Sequence, residues 1–162
     1  MKHQKIVGII PARYGSSRFP GKPLIEILGK TLIQHTYDNT KRCHDIDELI
    51  VATDDQRIYD HVESFGGIAV MTPENCQTGS DRLAFVLQND PRLQNAEIII
   101  NVQGDEPCLD PSVITALIEA LRSDPTAVMS TAVVKLENEE DASNPSEVKC
   151  VLSLDNSVLY FS

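Results

Sequence analysis

The sequence predicts an α/β fold in which a doubly wound, mostly parallel sheet carries helices on both faces. Three short apolar runs rich in β-branched residues are bounded by turn-forming residues, a pattern typical of strands that are buried on both faces. Amphipathic helical patterns lie between these runs. Because strands alternate with helices, we expect right-handed crossovers and a ligand site beyond the carboxyl ends of the strands.

The apolar runs define the predicted strands. Those of the central sheet are residues 6–10, 49–52 and 98–102. Two further strands are predicted at 148–154 and 158–161, joined by the turn Asp-Asn-Ser. Ligands of such a sheet bind to the loops that follow its strands. Those loops are residues 11–23, 53–55 and 103–106.

Apolar residues at helical spacing predict the helices, which cover residues 54–65, 80–87 and 111–121. Gly66 and Gly67 would end the first helix in a left-handed conformation. Asp110 would cap the third helix, with Pro111 in its first turn. The side chains expected to face the core are Ile58, Val62, Phe65, Leu83, Ala84, Leu87, Ile114, Leu117, Ile118 and Leu121.

Length and composition limit the class of protein to which the chain can belong. The 162 residues, 41% hydrophobic and 23% charged, match one folded domain over 1–162 and exclude collagen-like and disordered chains. No apolar run is long enough for a membrane helix and the start lacks a signal-peptide pattern, so we expect a soluble cytoplasmic protein without a membrane partner. Because an apolar strand finishes just before the last residue, we expect the domain to be truncated at its C-terminal end.

The charge is distributed unevenly along the chain. The net charge is −10, but residues 1–42 carry +6 and the remainder carries −16. A nonspecific nucleic-acid partner would require a basic face, whereas one basic segment in an acidic chain suits a small polyanion such as a nucleotide. The alternative is a random scatter of surface lysines and arginines.

The first predicted loop, PARYGSSRFPGKP, concentrates cations among small residues. Arg13, Arg18 and Lys22 could neutralise a phosphate chain, and Gly15 and Ser16 would let backbone amides approach it closely. The position directly after a buried strand favours this interpretation. The alternative is a flexible loop with solvated bases.

Two common nucleotide-binding motifs are excluded at this loop. In a P-loop four residues separate the glycines of GxxxxGK[ST], but five separate Gly15 from Gly21. Pro23 also occupies the position where a hydroxyl must hold Mg²⁺. The GxGxxG fingerprint of dinucleotide-binding domains is absent as well.

Acidic residues follow the other two strands. Asp105 and Glu106 come directly after Gln103-Gly104 and could hold Mg²⁺, which prefers one or two carboxylates together with phosphate oxygens and water. Alternatively they form a solvated turn. Asp54 and Asp55 have a simpler interpretation, because an aspartate at a strand end often caps the next helix.

The segment QTGSDR at 77–82 combines amide, hydroxyl and guanidinium groups just before a predicted helix. It could bind the edge of a base, or it could be a capped helix start. His35 and His61 lie in helical patterns without a second ligand at metal spacing. No nucleophile-elbow sequence is visible, which argues against a hydrolase triad.

The cysteines indicate neither a metal site nor a disulfide. They contain no CxxC pair and lie far apart in the chain. We expect reduced and mostly buried thiols at Cys43, Cys76, Cys108 and Cys150.

Taken together, several segments strongly resemble the 3-deoxy-manno-octulosonate cytidylyltransferases, also called CMP-Kdo synthetases. The segments are IIPARYGSSRFPGKPL, LIVATDD, QTGSDRL, INVQGDEP and NPSEVKCVLSLDNSVLYFS. The resemblance implies a glycosyltransferase-A-like nucleotidyltransferase fold. It also implies transfer of CMP from CTP to the anomeric hydroxyl of Kdo with release of pyrophosphate, a step in lipopolysaccharide biosynthesis, with Mg²⁺ as cofactor and a homodimer as the full-length form.

The resemblance assigns roles to residues that match the family pattern. Arg13, Arg18 and Lys22 would bind the triphosphate, together with Gly15 and Ser16 of the same loop. Asp105 would ligate Mg²⁺, so that Arg13, Lys22 and Asp105 form the catalytic set.

The remaining roles concern the nucleoside and the sugar. The backbone at Pro11 and Ala12 would bind cytosine and ribose, with Thr78, Ser80 and Arg82 beside them. Gln103 would lie between nucleotide and sugar. Family members are longer than this chain, and their C-terminal portion supplies a second metal ligand and most sugar contacts. Two alternatives therefore stay open, a non-catalytic CTP-binding module and a cytidylyltransferase for another acidic sugar.

Overall fold

The computed structural model describes residues 4–15, 19–138, 142–145 and 147–162. Its strands are β1 (Lys5–Ala12), β2 (Glu26–Ile27), β3 (Lys30–Thr31), β4 (Glu48–Thr53), β5 (Ala69–Met71), β6 (Ala96–Asn101), β7 (Cys150–Leu152) and β8 (Val158–Phe161). Its helices include α1 (Leu32–Thr40), α2 (Gln56–Ser64), α3 (Gly79–Asn89) and α4 (Pro111–Ser123), with short 3₁₀ helices at Lys22–Leu24 and Pro91–Leu93. The central sheet is parallel and has the strand order β5-β4-β1-β6.

Helices cover both faces of this sheet, so the predicted doubly wound fold is confirmed. Side chains alternate along β1, with Ile6 and Ile10 on one face and Val7 and Ile9 on the other. Buried residues of α1, α2 and α4 join the first cluster, and those of α3 join the second. Both faces of the sheet are therefore buried, as the unbroken apolar runs predict.

Strand β1 is longer than predicted and runs to Ala12, which pairs with Thr53 of β4. The prediction that the first loop begins at residue 11 is therefore wrong by two residues. Pro11 is tolerated in this central strand because β6 pairs with β1 only as far as Ile9, whose carbonyl accepts from Val102 N at 3.0 Å. The missing N–H of Pro11 then breaks no bond to β6.

Two of the three predicted helices match closely. Helix α2 ends at Ser64, shortly before Gly66, which has φ +78°, and Gly67 N donates to Val62 O at 2.9 Å. Asp110 caps α4 by accepting from Ser112 N at 2.9 Å. The start and stop residues in the sequence therefore act as expected.

Helix α3 differs from the prediction in its buried face. It begins at Gly79, and Arg82, Leu83 and Val86 are buried while Ala84 is exposed. The prediction that Ala84 faces the core is wrong, because the three buried residues lie at i+3, i+4 and i+7 from Gly79, where the helix begins, and Ala84 lies off this face.

Strand β5 and the β2–β3 hairpin have no counterpart among the predicted elements, and for α1 the sequence indicated only a helical pattern around His35, without bounds. In α1 the sequence LIQHTYDNT is rich in residues of low helix propensity. Strand β5 has three residues and the hairpin strands have two each. Such short elements carry too little periodicity to be recognised.

The C-terminal hairpin pairs β7 with β8 in antiparallel fashion, and β7 is shorter than the predicted strand. The four cysteines are free, as predicted, but only Cys43 is buried, so the prediction of mostly buried thiols is wrong. Among the residues that the structure describes, no helix is long and apolar enough to cross a bilayer.

Candidate active site

A cleft of about 620 Å³ opens at the carboxyl ends of β1 and β6. This is the edge at which a doubly wound sheet binds ligands. The residues that line the cleft are Pro11, Ala12, Arg13, Phe19, Lys22, Pro23, Leu32, Cys76, Gln77, Thr78, Gly79, Arg82, Gln103, Gly104 and Asp105.

The cleft brings together most of the predicted site residues. Those that line it are Pro11, Ala12, Arg13, Lys22, Thr78, Arg82, Gln103 and Asp105. Ser80 does not line it, because α3 begins at Gly79 and directs Thr78 and Arg82, not Ser80, toward the cleft. Ser16 and Arg18 lie outside the described residues. Gly15 borders that gap and is not part of the described lining.

Several lining residues were not predicted. Phe19, Pro23, Leu32 and Cys76 contribute apolar or weakly polar surface. Sequence alone offers no signal for such residues, because their chemistry is that of ordinary packing. Their place in the cleft depends on how the loops fold back over the sheet.

The basic and acidic loops meet across the cleft. Lys22 Nζ lies 2.6 Å from Asp105 Oδ2, although 83 residues separate them in the chain. Both side chains are about half exposed, at 44% and 51%. An incoming polyanion can therefore reach the ammonium group, and a cation can reach the carboxylate.

The basic loop is closed at its base by Tyr14 and Gly21. Gly21 N donates to Tyr14 O at 2.9 Å, and Gly21 has φ +73°, a conformation that favours glycine. A Cβ at Gly21 would lie 3.0 Å from the Tyr14 ring. The guanidinium of Arg57 stacks on that ring, 3.3 Å from its centroid. Asp55, the cap of α2, holds this guanidinium with two bonds of 2.9 and 2.6 Å.

The acidic loop is held by helix α1. Thr36 Oγ1 donates to Gly104 O at 3.1 Å, and Asn39 Nδ2 donates to the carbonyls of Pro107 and Leu109. Gly104 also packs against β1, since a Cβ there would lie 3.0 Å from Pro11 O. The loop therefore follows β6 closely.

The side of the cleft opposite this loop is built on the start of α3. Thr78 and Asp81 form a capping box, in which the Thr78 side chain accepts from Asp81 N at 3.1 Å and the Asp81 carboxylate from Thr78 N at 2.9 Å. Hydrogen bonding to the Thr78 side chain and to the Thr78 backbone N–H lowers the pKa of the Asp81 carboxyl. A Cβ at Gly79 would lie 3.2 Å from Pro11 Cγ, so α3 approaches β1 tightly.

Arg82 has a structural role that the sequence did not reveal. Its side chain is 3% exposed, and its guanidinium donates to Asp54 Oδ2 at 2.7 Å and to Thr72 Oγ1. Asp54 therefore pairs with Arg82, whereas Asp55 caps α2, as the sequence suggested for an aspartate in this place. The contact of Arg82 with a base or ribose stays a prediction. Some N–H groups of its guanidinium are already bonded to Asp54 and Thr72.

The donor set of the cleft fits one Mg²⁺ ion shared with a ligand. Among the described residues there is no group of three or more side chains that could hold a metal. Asp105 supplies one accessible carboxylate. Mg²⁺ characteristically takes one or two carboxylates, with phosphate oxygens and water completing its shell.

Comparisons with known proteins agree with this geometry. The sequence profile of the family described as Cytidylyltransferase matches residues 7–162. The chain belongs to the cytidylyltransferase family. This cytidylyltransferase chain is 55% identical to the 3-deoxy-manno-octulosonate cytidylyltransferase of Protochlamydia amoebophila, over 100% of this chain and 64% of that relative. It is 49% identical to the enzyme of that name from Chlamydia trachomatis serovar A, over 98% of this chain and 61% of the relative.

Solved structures agree with the assignment of the cytidylyltransferase fold. A CMP:2-keto-3-deoxy-manno-octonic acid synthetase complexed with CTP is similar at a TM-score of 0.88 and 42% identity, covering 98% of this chain and 64% of that one. A cytidylyltransferase from Leptospira borgpetersenii shares the fold at a TM-score of 0.64 and 21% identity, over 76% of this chain and 51% of that one. The cytidylyltransferase chain thus spans 61 to 64% of the first relatives it matches.

Proposed function

We propose that this chain binds CTP in the cleft and acts in the transfer of CMP to the anomeric hydroxyl of Kdo, with release of pyrophosphate. The observation that carries the proposal is the meeting of Lys22 and Asp105 across the cleft, 2.6 Å apart at the carboxyl end of the sheet. The names of the relatives and the CTP complex of a similar structure support the choice of substrates. We also infer that residues 1–162 form one nucleotide-binding domain.

The reaction needs positioning and charge stabilisation more than covalent chemistry by the protein. The hydroxyl oxygen of Kdo forms a bond to the α-phosphorus of CTP. The bond from that phosphorus to the oxygen bridging toward the β-phosphate breaks, pyrophosphate leaves with that oxygen, and the hydroxyl proton passes to solvent. Arg13, Arg18 and Lys22 hold the triphosphate and balance its negative charge in our proposal, and Gly15 and Ser16 let backbone amides approach it closely.

The other residues of the cleft orient the nucleoside and the sugar. We assign cytosine and ribose to the backbone at Pro11 and Ala12 and to the side chains of Thr78 and Arg82. Gln103 follows the end of β6 and would lie between nucleotide and sugar. Ser80 stays a weaker part of this assignment, because it lies outside the lining of the cleft.

Asp105 would hold the divalent ion that CTP-using enzymes of this kind employ, and we propose Mg²⁺. When bound, this ion would neutralise phosphate charge and orient the α-phosphate. Before the ligand arrives, Lys22 balances the carboxylate of Asp105. Binding of the metal and triphosphate would separate this pair, so that each charge meets an opposite charge of the ligand.

Pyrophosphate release from CTP and Kdo with Mg²⁺ tests the proposal, with Asp105→Asn as the variant. We expect release by the wild-type full-length form, and weaker Mg²⁺-dependent release in the variant because an amide is a poor ligand for Mg²⁺. Glu119→Gln, an exposed carboxylate of α4, is the matched control and should retain full release. Unchanged magnesium dependence in Asp105→Asn would remove the metal assignment.

The same assay separates the alternatives. Equilibrium binding of CTP without pyrophosphate release would favour a non-catalytic CTP-binding module. Release with sialic acid but not with Kdo would favour a cytidylyltransferase for another acidic sugar. Absence of CTP binding altogether would overturn the proposed function.

Self-association belongs to the same proposal, since the resemblance implies a homodimer for the full-length form. The side chains of β8 support it, because Val158, Leu159, Tyr160 and Phe161 are between 42 and 61% exposed. Sedimentation equilibrium measures the oligomeric state directly, and a monomer at all concentrations would contradict the proposed self-association. The expected cytoplasmic location stays a prediction.

A further inference from the structure

We propose that Thr36 and Asn39 of helix α1 are positioning residues that set the orientation of Asp105 by holding the backbone on either side of it. This inference rests on the proposed function, in which Asp105 faces the metal and nucleotide. Neither residue lines the cleft. Both would act through the acidic loop that follows β6.

Thr36 binds the loop on the N-terminal side of Asp105. The residue is 0% exposed, and its hydroxyl lies 3.1 Å from Gly104 O and 3.2 Å from Leu32 O. The hydroxyl has one proton, so it is shared between the helix and the loop. The carbonyl directly before Asp105 is thereby tied to a helix that is itself part of the core.

Asn39 binds the loop on the C-terminal side. Its amide nitrogen donates to Pro107 O at 3.3 Å and to Leu109 O. Its other amide atom, Oδ1, accepts from Arg42 Nη1 at 3.0 Å. This third bond fixes the orientation of the amide, because a flipped amide would present an oxygen to two carbonyls.

Spacing along α1 explains why one helix can hold both sides. Residues three apart lie on the same face of a helix, so Thr36 and Asn39 approach three carbonyls of one loop. The loop adds two turn bonds of its own, from Glu106 N to Gln103 O at 3.2 Å and from Leu109 N to Glu106 O at 3.3 Å. Its shape therefore depends on side chains of α1 as well as on its own backbone.

The support of the acidic loop by α1 matters because the Asp105 side chain is half exposed. Its carboxylate pairs with Lys22 on the facing loop, and that pair must open when a triphosphate binds. After opening, the carboxylate is oriented by the backbone that carries it. Mg²⁺ demands near-ideal octahedral geometry, so a small displacement of this backbone would weaken metal binding without altering the rest of the cleft.

The experiment uses Thr36→Val, Asn39→Asp and a matched control, Thr40→Val. Valine keeps the shape of threonine and removes the hydroxyl. Thr40 is likewise buried in α1, at 1% exposure, but its hydroxyl donates within the helix, to Thr36 O at 2.7 Å. Asn39→Asp keeps the oxygen that accepts from Arg42 and replaces the donating nitrogen by a second oxygen.

Two measurements are made on each variant. Hydrogen exchange of the backbone amides of residues 104–106, 108 and 109, without ligand or metal, reports the stability of the loop. Electron paramagnetic resonance with Mn²⁺ and CTP reports the affinity of the divalent site, and calorimetry with EDTA reports the affinity for CTP alone. Thermal unfolding shows that each variant is folded.

We expect loop exchange to accelerate and Mn²⁺ affinity to fall by about two- to tenfold in Thr36→Val, the range for one lost hydrogen bond. Asn39→Asp should lose more Mn²⁺ affinity, because the new carboxylate oxygen would repel the carbonyl oxygens of Pro107 and Leu109. CTP affinity in EDTA should stay within about twofold of wild type. Thr40→Val should resemble wild type in both measurements.

Equal effects of Thr36→Val and Thr40→Val would overturn the inference, since they would reflect a general weakening of α1. Faster loop exchange with unchanged Mn²⁺ affinity would also overturn it. If wild-type protein binds neither CTP nor Mn²⁺ with CTP, the proposed function fails instead. The exchange measurement still decides, in that case, whether α1 holds the loop.

Discussion

At the scale of single residues, the candidate site depends on pairs of groups that are distant in sequence. Lys22 meets Asp105 between the basic and acidic loops, and Arg82 of α3 meets Asp54 in the loop that follows β4. The pairs differ in burial. Lys22 and Asp105 are half exposed and open to a ligand, whereas Arg82 is 3% exposed and serves the structure. Lys22 is therefore the more accessible cation, whereas Arg82 can offer a ligand only the N–H groups that Asp54 and Thr72 leave free.

Removal of the exposed cation should weaken CTP binding. Lys22→Ala should cost about 1–3 kcal/mol in binding free energy, the range for hydrogen bonds to charged groups. Calorimetric titration with CTP measures it. Lys30→Ala is the matched control, since Lys30 forms a similar exposed pair with Asp38 at 2.6 Å outside the lining of the cleft. Equal CTP affinity of the two variants would exclude Lys22 from triphosphate binding.

At the scale of elements, each loop of the cleft is supported by a helix. The acidic loop is held by α1, and the start of α3 supports the opposite wall. The basic loop is anchored by Tyr14, whose ring lies between Gly21 and the guanidinium of Arg57 at the start of α2. A stacked guanidinium stabilises an aromatic ring by about 0.5–1 kcal/mol at an exposed position.

Loss of this ring should loosen the basic loop and weaken the binding of phosphate groups. We expect Tyr14→Leu to lower CTP affinity about two- to fivefold while cytidine affinity is retained. Tyr14→Phe keeps the ring and should restore CTP affinity. Competitive binding of CTP and cytidine measures both values. A parallel loss of cytidine affinity would show that the ring supports the whole cleft instead of the loop alone.

Two parts of this fold could be predicted from local sequence. Strands β1, β4, β6, β7 and β8 and the caps at Asp55 and Asp110 could be predicted, because apolar runs and capping residues act over a few positions. The bounds of helix α1 could not be predicted, since its nine residues have low intrinsic propensity and their burial in the core stabilises them. The support of the acidic loop by Thr36 and Asn39 could not be predicted either, because the bonded partners are 68 to 70 residues away.

At the scale of the whole molecule, carboxylates at helix starts link stability to pH. The pKa of Asp55 is lowered chiefly by the Arg57 side chain, and that of Asp110 by the backbone N–H of Ser112. The pKa of Asp90, which caps the 3₁₀ helix at Pro91–Leu93, is lowered chiefly by Arg92. The charged forms are thus favoured in the folded state.

These lowered pKa values predict a loss of stability in acid. Their contribution is fully present above the unfolded pKa of about 4 and is lost as pH falls through the lower folded values. Urea unfolding between pH 7 and pH 2.5 measures it. Asp110→Asn keeps a capping oxygen without the charge, so its stability should fall less steeply on acidification. Glu119→Gln on the same helix is the control, and an acid profile of Asp110→Asn identical to it would contradict this account.

The sequence by itself determined the alternating strands and helices, the caps, and the residue types that suit a phosphate chain and a divalent ion. These features depend on hydrophobic periodicity and on hydrogen bonds between near neighbours. The tertiary structure alone decided that Lys22 reaches Asp105, that Arg82 is paired with Asp54, and that α1 holds the acidic loop. Such contacts depend on the order of the strands in the sheet, which is β5-β4-β1-β6. The parallel strands bring their carboxyl ends to one edge.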